Sequence, residues 1–149
     1  MVSVLILSHG GLADELLSAA KTISGRSPEW MKALSLDWDA DFEEAREATA
    51  RALEPLRKGG ELLILTDMYG GTPFNVARSL VDSPAVQVLA GVNLPMVVRL
   101  CCLGGAQMHT DELVTWLEEK GRRSICHCLE SHLTSGVEPN CGDSDGDEE

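Results

Sequence analysis

Val2-Ser3-Val4-Leu5-Ile6-Leu7-Ser8-His9-Gly10-Gly11 is the stretch from which the fold can be read. Its apolar run is short, rich in β-branched residues and stops at Ser8-His9-Gly10-Gly11, so it predicts a buried first strand. Leu12 to Ser24 then repeats Leu12, Leu16, Ala20 and Ile23 on one helical face. The two glycines between strand and helix let the backbone turn sharply and leave the His9 imidazole uncovered. A histidine at such a junction lies where helix N-terminal amides favour an anionic group.

The same alternation continues along the chain. Gly25 to Pro28 reads as a loop and Met31 to Leu36 as a second, weaker strand. Asp41 to Arg57 is a helix with Phe42, Ala45, Thr49, Ala52, Leu53 and Leu56 as its buried stripe, ended by Lys58-Gly59-Gly60. Glu61-Leu62-Leu63-Ile64-Leu65-Thr66 is a third strand, apolar enough to be buried on both faces. After Asp67-Met68-Tyr69-Gly70-Gly71, Thr72 suits an N-cap and Pro73 a first helical residue, with the helix running to about Ser83. Val86 to Ala90 is a fourth strand, Met96 to Leu103 a helix, and Thr110 to Lys120 a helix capped by Thr110 or Asp111. Arg123 to Leu129 reads as a last short strand. From Thr134 onward the Gly/Ser/Asp-rich composition predicts disorder. The expected organisation is one domain over residues 1–130 and an acidic tail over 131–149.

This β-α-β pattern predicts the α/β class, with an open, mostly parallel, doubly wound sheet. Right-handed crossovers and the flavodoxin-like order 2-1-3-4 place strand 1 beside strand 3. Ligands in such sheets bind at the carboxyl ends of the strands, at that topological switch. Those ends carry His9 and Asp67, which are thus expected to meet in one crevice.

Composition narrows the function. The 149 residues are 44% hydrophobic but only 4% aromatic, so the core must be built mostly of Leu, Val, Ala and Met. No stretch approaches the roughly 20 apolar residues of a membrane span. No basic region precedes the first apolar run, so no secretory signal is expected and the cytoplasm is the expected compartment. The net charge is −12, and the five acids of 143–149 leave −7 for the rest. An acidic body excludes the basic face that nucleic acid requires, and direct binding to anionic lipid. Five cysteines, an odd number, fit free thiols in a reducing compartment.

In a His–Asp pair the carboxylate accepts a hydrogen bond from one ring nitrogen and fixes the tautomer, leaving the other nitrogen free. That nitrogen can attack a carbonyl, take a proton, bind a metal or accept a phosphoryl group. No serine or cysteine in the two loops makes a triad obvious, and a single histidine at the crevice is poor for a metal site. Gly10-Gly11 and Gly70-Gly71 each open toward a helix N-terminus, a phosphate cradle without a Walker lysine. Singly these features are ordinary, since a histidine at a strand end is commonly structural and Gly-Gly a common turn. Their convergence favours a phosphohistidine carrier.

Ser8-His9-Gly10, Asp67-Met68-Tyr69-Gly70-Gly71-Thr72-Pro73-Phe74-Asn75 and Gly91-Val92-Asn93-Leu94-Pro95-Met96, in this order, resemble the mannose-type IIA proteins of the bacterial phosphoenolpyruvate-dependent sugar phosphotransferase system (PTS). The resemblance covers residue 1 to about 129. It implies that His9 accepts a phosphoryl group from phospho-HPr and passes it to a IIB protein, here on a separate polypeptide. It implies that Asp67 orients the ring, and that Gly10, Gly71 and Thr72 lie at the phosphoryl group. It further implies that no metal or nucleotide cofactor is needed, and that membranes are met only through a permease complex. Members of the family exchange a last strand in a homodimer, which implies the same for Arg123 to Leu129, with Gly121 as a hinge.

Other residues leave other readings open. A regulatory PTS module, whose His9 phosphorylation controls a partner protein, would use the same chemistry. Cys126, His127, Cys128, His132 and Cys141 allow a third reading, a Cys/His metal-binding or interaction protein, although their spacing matches no standard zinc pattern. Cys126 and Cys128 equally suit small core-facing residues of a strand, and Cys101-Cys102 a packed helix. Trp30, Trp38 and Trp116 read as packing residues or interface anchors, Phe74 as core, Tyr69 as part of a docking surface and His109 as a surface residue capping or preceding a helix.

Overall fold

A computed structural model describes residues 1–103 and 108–128. Four strands, β1 (Val2–His9), β2 (Met31–Leu36), β3 (Glu61–Thr66) and β4 (Val86–Ala90), form one sheet in the order β2-β1-β3-β4. Every pairing is parallel, with His9 opposite Leu36 and Leu7 opposite Thr66. The intervening helices are α1 (Leu12–Ser24), α2 (Phe42–Arg57), α3 (Thr72–Ser79), α4 (Leu94–Cys102) and α5 (Thr110–Arg123). The expected doubly wound order is thus the observed one.

The sheet is buried on both faces. Val4, Ile6, Leu63 and Leu65 pack against α1, α4 and α5 through Ala13, Leu17, Val97, Leu100 and Leu117. Leu5, Leu7, Leu62 and Ile64 pack against α2 and α3 through Ala45, Leu53, Leu56, Val76 and Ala77. This is why β1 and β3 read as continuous apolar runs. No helix of the described residues is long and apolar enough to cross a membrane.

Several local expectations shift for identifiable reasons. In α1 the buried stripe is Ala13, Leu17 and Ala20, one residue on from Leu12 and Leu16. Leu12 and Ile23 are exposed. The helix is turned this way because the Ala13 amide donates to the buried Ser8 hydroxyl at 2.7 Å, which brings residue 13 over the strand. Phe42 is also exposed, at the first turn of α2, where Asp41 is the cap and accepts from the Glu43 amide. Helix α3 stops at Ser79 rather than near Ser83, because Arg57 takes the Leu80 carbonyl at 3.1 Å and the Asp82 carboxylate at 2.8 Å. Helix α4 begins two residues early, capped by Asn93, whose Oδ1 accepts from the Met96 amide.

The C-terminal expectations are corrected most. His109, not Thr110 or Asp111, is the N-cap of α5. The Glu61 carboxylate accepts from the Thr110 amide at 3.2 Å, tying the start of β3 to α5, and this bond holds its pKa below the ordinary carboxylate range. No strand follows among the described residues: α5 continues to Arg123 and residues 125–128 have no regular structure. The i,i+4 pairs Glu118–Arg122 and Glu119–Arg123 favour continuing the helix. Gly121 is buried in α5 rather than at a hinge; a Cβ there would meet Met96 Sδ at 2.6 Å, so it permits close approach of α5 to α4. Cys126 and Cys128 are exposed, not core-facing. Cys101, Cys102 and Cys128 are free thiols as expected, but Cys126 is disulfide-bonded. In α4 only Cys101 packs, and its burial pushes the thiol pKa up; Cys102 is exposed. Leu129, His132, Cys141 and the acidic tail lie outside the described residues.

Candidate functional site

β1 and β3 end side by side, and their last polar residues meet there. His9 Nδ1 and Asp67 Oδ2 are 2.7 Å apart. The same Oδ2 accepts from the His9 main-chain amide at 3.0 Å, and Oδ1 accepts from the Met68 amide at 2.9 Å. Three contacts therefore fix the carboxylate, two of them on His9 itself. A carboxylate can only accept, so Nδ1 must carry the proton. In the neutral ring Nε2 then holds the lone pair, and it has no hydrogen-bond partner among the described residues. The His9 and Asp67 side chains are 16% and 12% exposed, enough to be reached and little enough to be held.

Around this pair the other expected residues divide. Gly71 closes on the ring, and a Cβ at this position would lie 2.8 Å from His9 Cε1. It is also the N-cap of α3, extended at φ −73° and ψ 171°. Thr72 is therefore the first helical residue instead of the cap, and it is exposed. Gly10 has φ +52° and faces the β2–α2 turn. Asn75 braces the loop, its side-chain amide donating to the Gly70 carbonyl at 3.1 Å.

The Gly91-Val92-Asn93 block also has a structural role. The Gly91 and Val92 amides both donate to the Thr66 carbonyl, at 2.9 and 3.0 Å, and so secure the end of β3 immediately before Asp67. Tyr69 is exposed as expected, and its ring lies 4.7 Å from Phe74. Phe74 is half-buried rather than core, lining a groove of about 470 Å³ beside β4. His109 is on the surface. Trp30 and Trp116 pack against the core.

Two site residues escaped the sequence reading. Ser8 anchors the first turn of α1. Trp38 stacks on His9, with ring centroids 5.0 Å apart and planes 15° from parallel. The strand order alone carried a signal for it: β2 neighbours β1, and Trp38 lies two residues past the end of β2.

The fold and site define an open α/β protein with an oriented histidine at its topological switch. Residues 3–117 match EIIA-man, the PTS system fructose IIA component family, and the chain belongs to that family. It is 32% identical over 127 residues to the PTS system mannose-specific EIIAB component of Escherichia coli K12, a match that covers 83% of this chain and 38% of the relative. Against the PTS system fructose-specific EIIA component of Bacillus subtilis it is 28% identical, covering 89% and 90%. The structure of phosphotransferase system component EIIA from Streptococcus agalactiae superposes with a TM-score of 0.75 at 29% identity, covering 85% of this chain and 97% of that one.

Gly71→Ala is expected to push the His9 ring off Asp67 and to cost about 1–3 kcal/mol of stability. The hydrogen-bonded Nδ1 proton in the NMR spectrum reports the ring and urea unfolding the stability. An unchanged proton resonance would show that the loop yields and that Gly71 does not set the ring.

Proposed function

We propose that this chain is a phosphohistidine carrier that accepts a phosphoryl group on His9 Nε2 from phospho-HPr and passes it to a IIB protein. The observation that carries the reading is the 2.7 Å contact between His9 Nδ1 and Asp67, which leaves Nε2 as the free nucleophile. Family membership supports a role in phosphoryl transfer. The chain spans 38% of the length of the mannose-specific relatives it matches. The expected setting is the cytoplasm, with membrane contact only through a permease. Residues 1–130 would form the carrier domain and 131–149 an appended acidic tail.

In the transfer, the Nε2 lone pair forms a new N–P bond while the donor's N–P bond breaks and its electron pair stays on the donor imidazole. His9 keeps its Nδ1 proton, so the phosphorylated ring carries positive charge, and Asp67 faces that charge directly. The first-turn amides of α3 and the Gly71 main chain supply partial positive charge for the phosphoryl oxygens. The rest is alignment of two imidazoles, since phosphoryl transfer depends mainly on positioning and electrostatics.

The proposed working unit is a homodimer. β4 pairs only with β3 among the described residues, and the groove beside it is lined by Tyr69, Phe74, Leu89, Met96 and the exposed Ile125. A second copy would cover this edge and its apolar lining. Sedimentation velocity should show a dimer at micromolar concentration; a monomer throughout that range would overturn this part.

Intact mass after incubation with phosphoenolpyruvate, enzyme I and HPr tests the carrier chemistry. The wild type should gain one acid-labile phosphoryl group, about 80 Da, and His9→Ala none while remaining folded. Asp67→Asn should still accept, but roughly 10- to 100-fold more slowly, the worth of one charge-assisted hydrogen bond. A His9→Ala protein phosphorylated on another histidine would overturn the assignment, and unchanged kinetics in Asp67→Asn would remove Asp67 from it.

A further inference from the structure

We propose that Trp38 is a positioning residue for His9, one that fixes the plane of the imidazole by stacking on its face; this role rests on the carrier reading above. The indole lies nearly parallel to the imidazole, 15° between planes and 5.0 Å between centroids. Asp67 holds the ring at Nδ1, and Gly71 closes on the Cε1 edge. A hydrogen bond at one nitrogen still allows the ring to tilt about that contact. A flat surface against one face opposes the tilt, because tilting loses stacking overlap. Together the three contacts leave Nε2 as the open edge and give its lone pair one direction.

Core packing does not account for Trp38. It is 80% exposed, the second most exposed large apolar side chain of the described residues, and belongs to neither hydrophobic cluster. Its place is nonetheless defined by backbone. His9 pairs with Leu36 across β1 and β2, and the Gly10 amide donates to the Leu36 carbonyl at 2.7 Å. The turn that follows is closed by the Ala40 amide on the Asp37 carbonyl at 3.1 Å. This turn carries Trp38 back over the end of β1. Gly10 leaves the space it needs: a Cβ there would come within 2.9 Å of the indole Nε1. An indole brought over a catalytic ring at the cost of exposure to water is the arrangement expected of a side chain that serves the site.

Trp38 acts through His9 and need not touch the phosphoryl group. Its removal should therefore lower the transfer rate constant more than donor affinity. Stacking of this kind corresponds to roughly a three- to tenfold effect on rate. Phenylalanine keeps a flat face and should restore most of it.

The test compares the wild type with Trp38→Ala and Trp38→Phe in two measurements. NMR of the unphosphorylated protein reads the His9 ring protons, which a stacked indole shifts upfield. Rapid-quench transfer from phospho-HPr, at varied donor concentration, separates kcat from KM. Expected results are a downfield move of the His9 ring protons and a three- to tenfold lower kcat in Trp38→Ala, little change in KM, and rescue by Trp38→Phe. Unmoved ring protons would overturn the stack. Moved ring protons with unchanged kcat would overturn the positioning role, as would a raised KM at constant kcat, which marks a donor-docking contact instead. A wild type that accepts no phosphate from an active donor overturns the carrier reading and this role with it. Normal acceptance by the wild type and equally by both variants overturns the role of Trp38 alone.

Discussion

A single carboxylate oxygen organises this site. Asp67 Oδ2 accepts from the His9 main chain at 3.0 Å and approaches the ring Nδ1 to 2.7 Å. The first bond joins the ends of β1 and β3 and the second sets the tautomer of the ring, so fold and chemistry share one acceptor. Both depend on β1 and β3 being neighbours, which the 2-1-3-4 order provides. The surrounding hydrogen bonds hold that acceptor still: Met68 on Oδ1, Asn75 on the Gly70 carbonyl, and Gly91 and Val92 on the last carbonyl of β3.

Local structure and function are coupled through small residues at these strand ends. Gly71 lies against His9 because it has no side chain, and Gly10 leaves room for an indole. Ser8 spends its hydroxyl on the Ala13 amide, so α1 starts at a fixed angle directly after the histidine. The result is a half-covered imidazole held on its Nδ1 side, on one edge and on one face. Such restraint suits the proposed transfer of a phosphoryl group along a single line.

Much of this was legible in the sequence, and the reasons are specific. Met31–Leu36, Glu61–Thr66 and Val86–Ala90 are strands as read, because apolar runs of five or six residues bounded by turn-forming residues have few other solutions. The meeting of His9 and Asp67 followed from the order of elements alone. What was not legible depended on contacts between distant segments. The face of α1 is set by Ser8, the end of α3 by Arg57, and the extension of α5 to Arg123 by its i,i+4 ion pairs. From sequence Trp38 reads as a packing residue or interface anchor, because aromatic residues usually are; its place over His9 appears only when the β1–β2 register is known.

In the proposed carrier, Asp67 keeps the proton on Nδ1 and leaves Nε2 as the nucleophile. A long-range proton–nitrogen NMR correlation of histidine-labelled protein, recorded at mildly alkaline pH, reads this directly and needs no partner protein. The expected result is His9 as the Nδ1-protonated tautomer, with Asp67→Asn disturbing this preference. A His9 ring protonated on Nε2 in the wild type would contradict it, because the nitrogen facing the open crevice would then lack the lone pair that the chemistry requires.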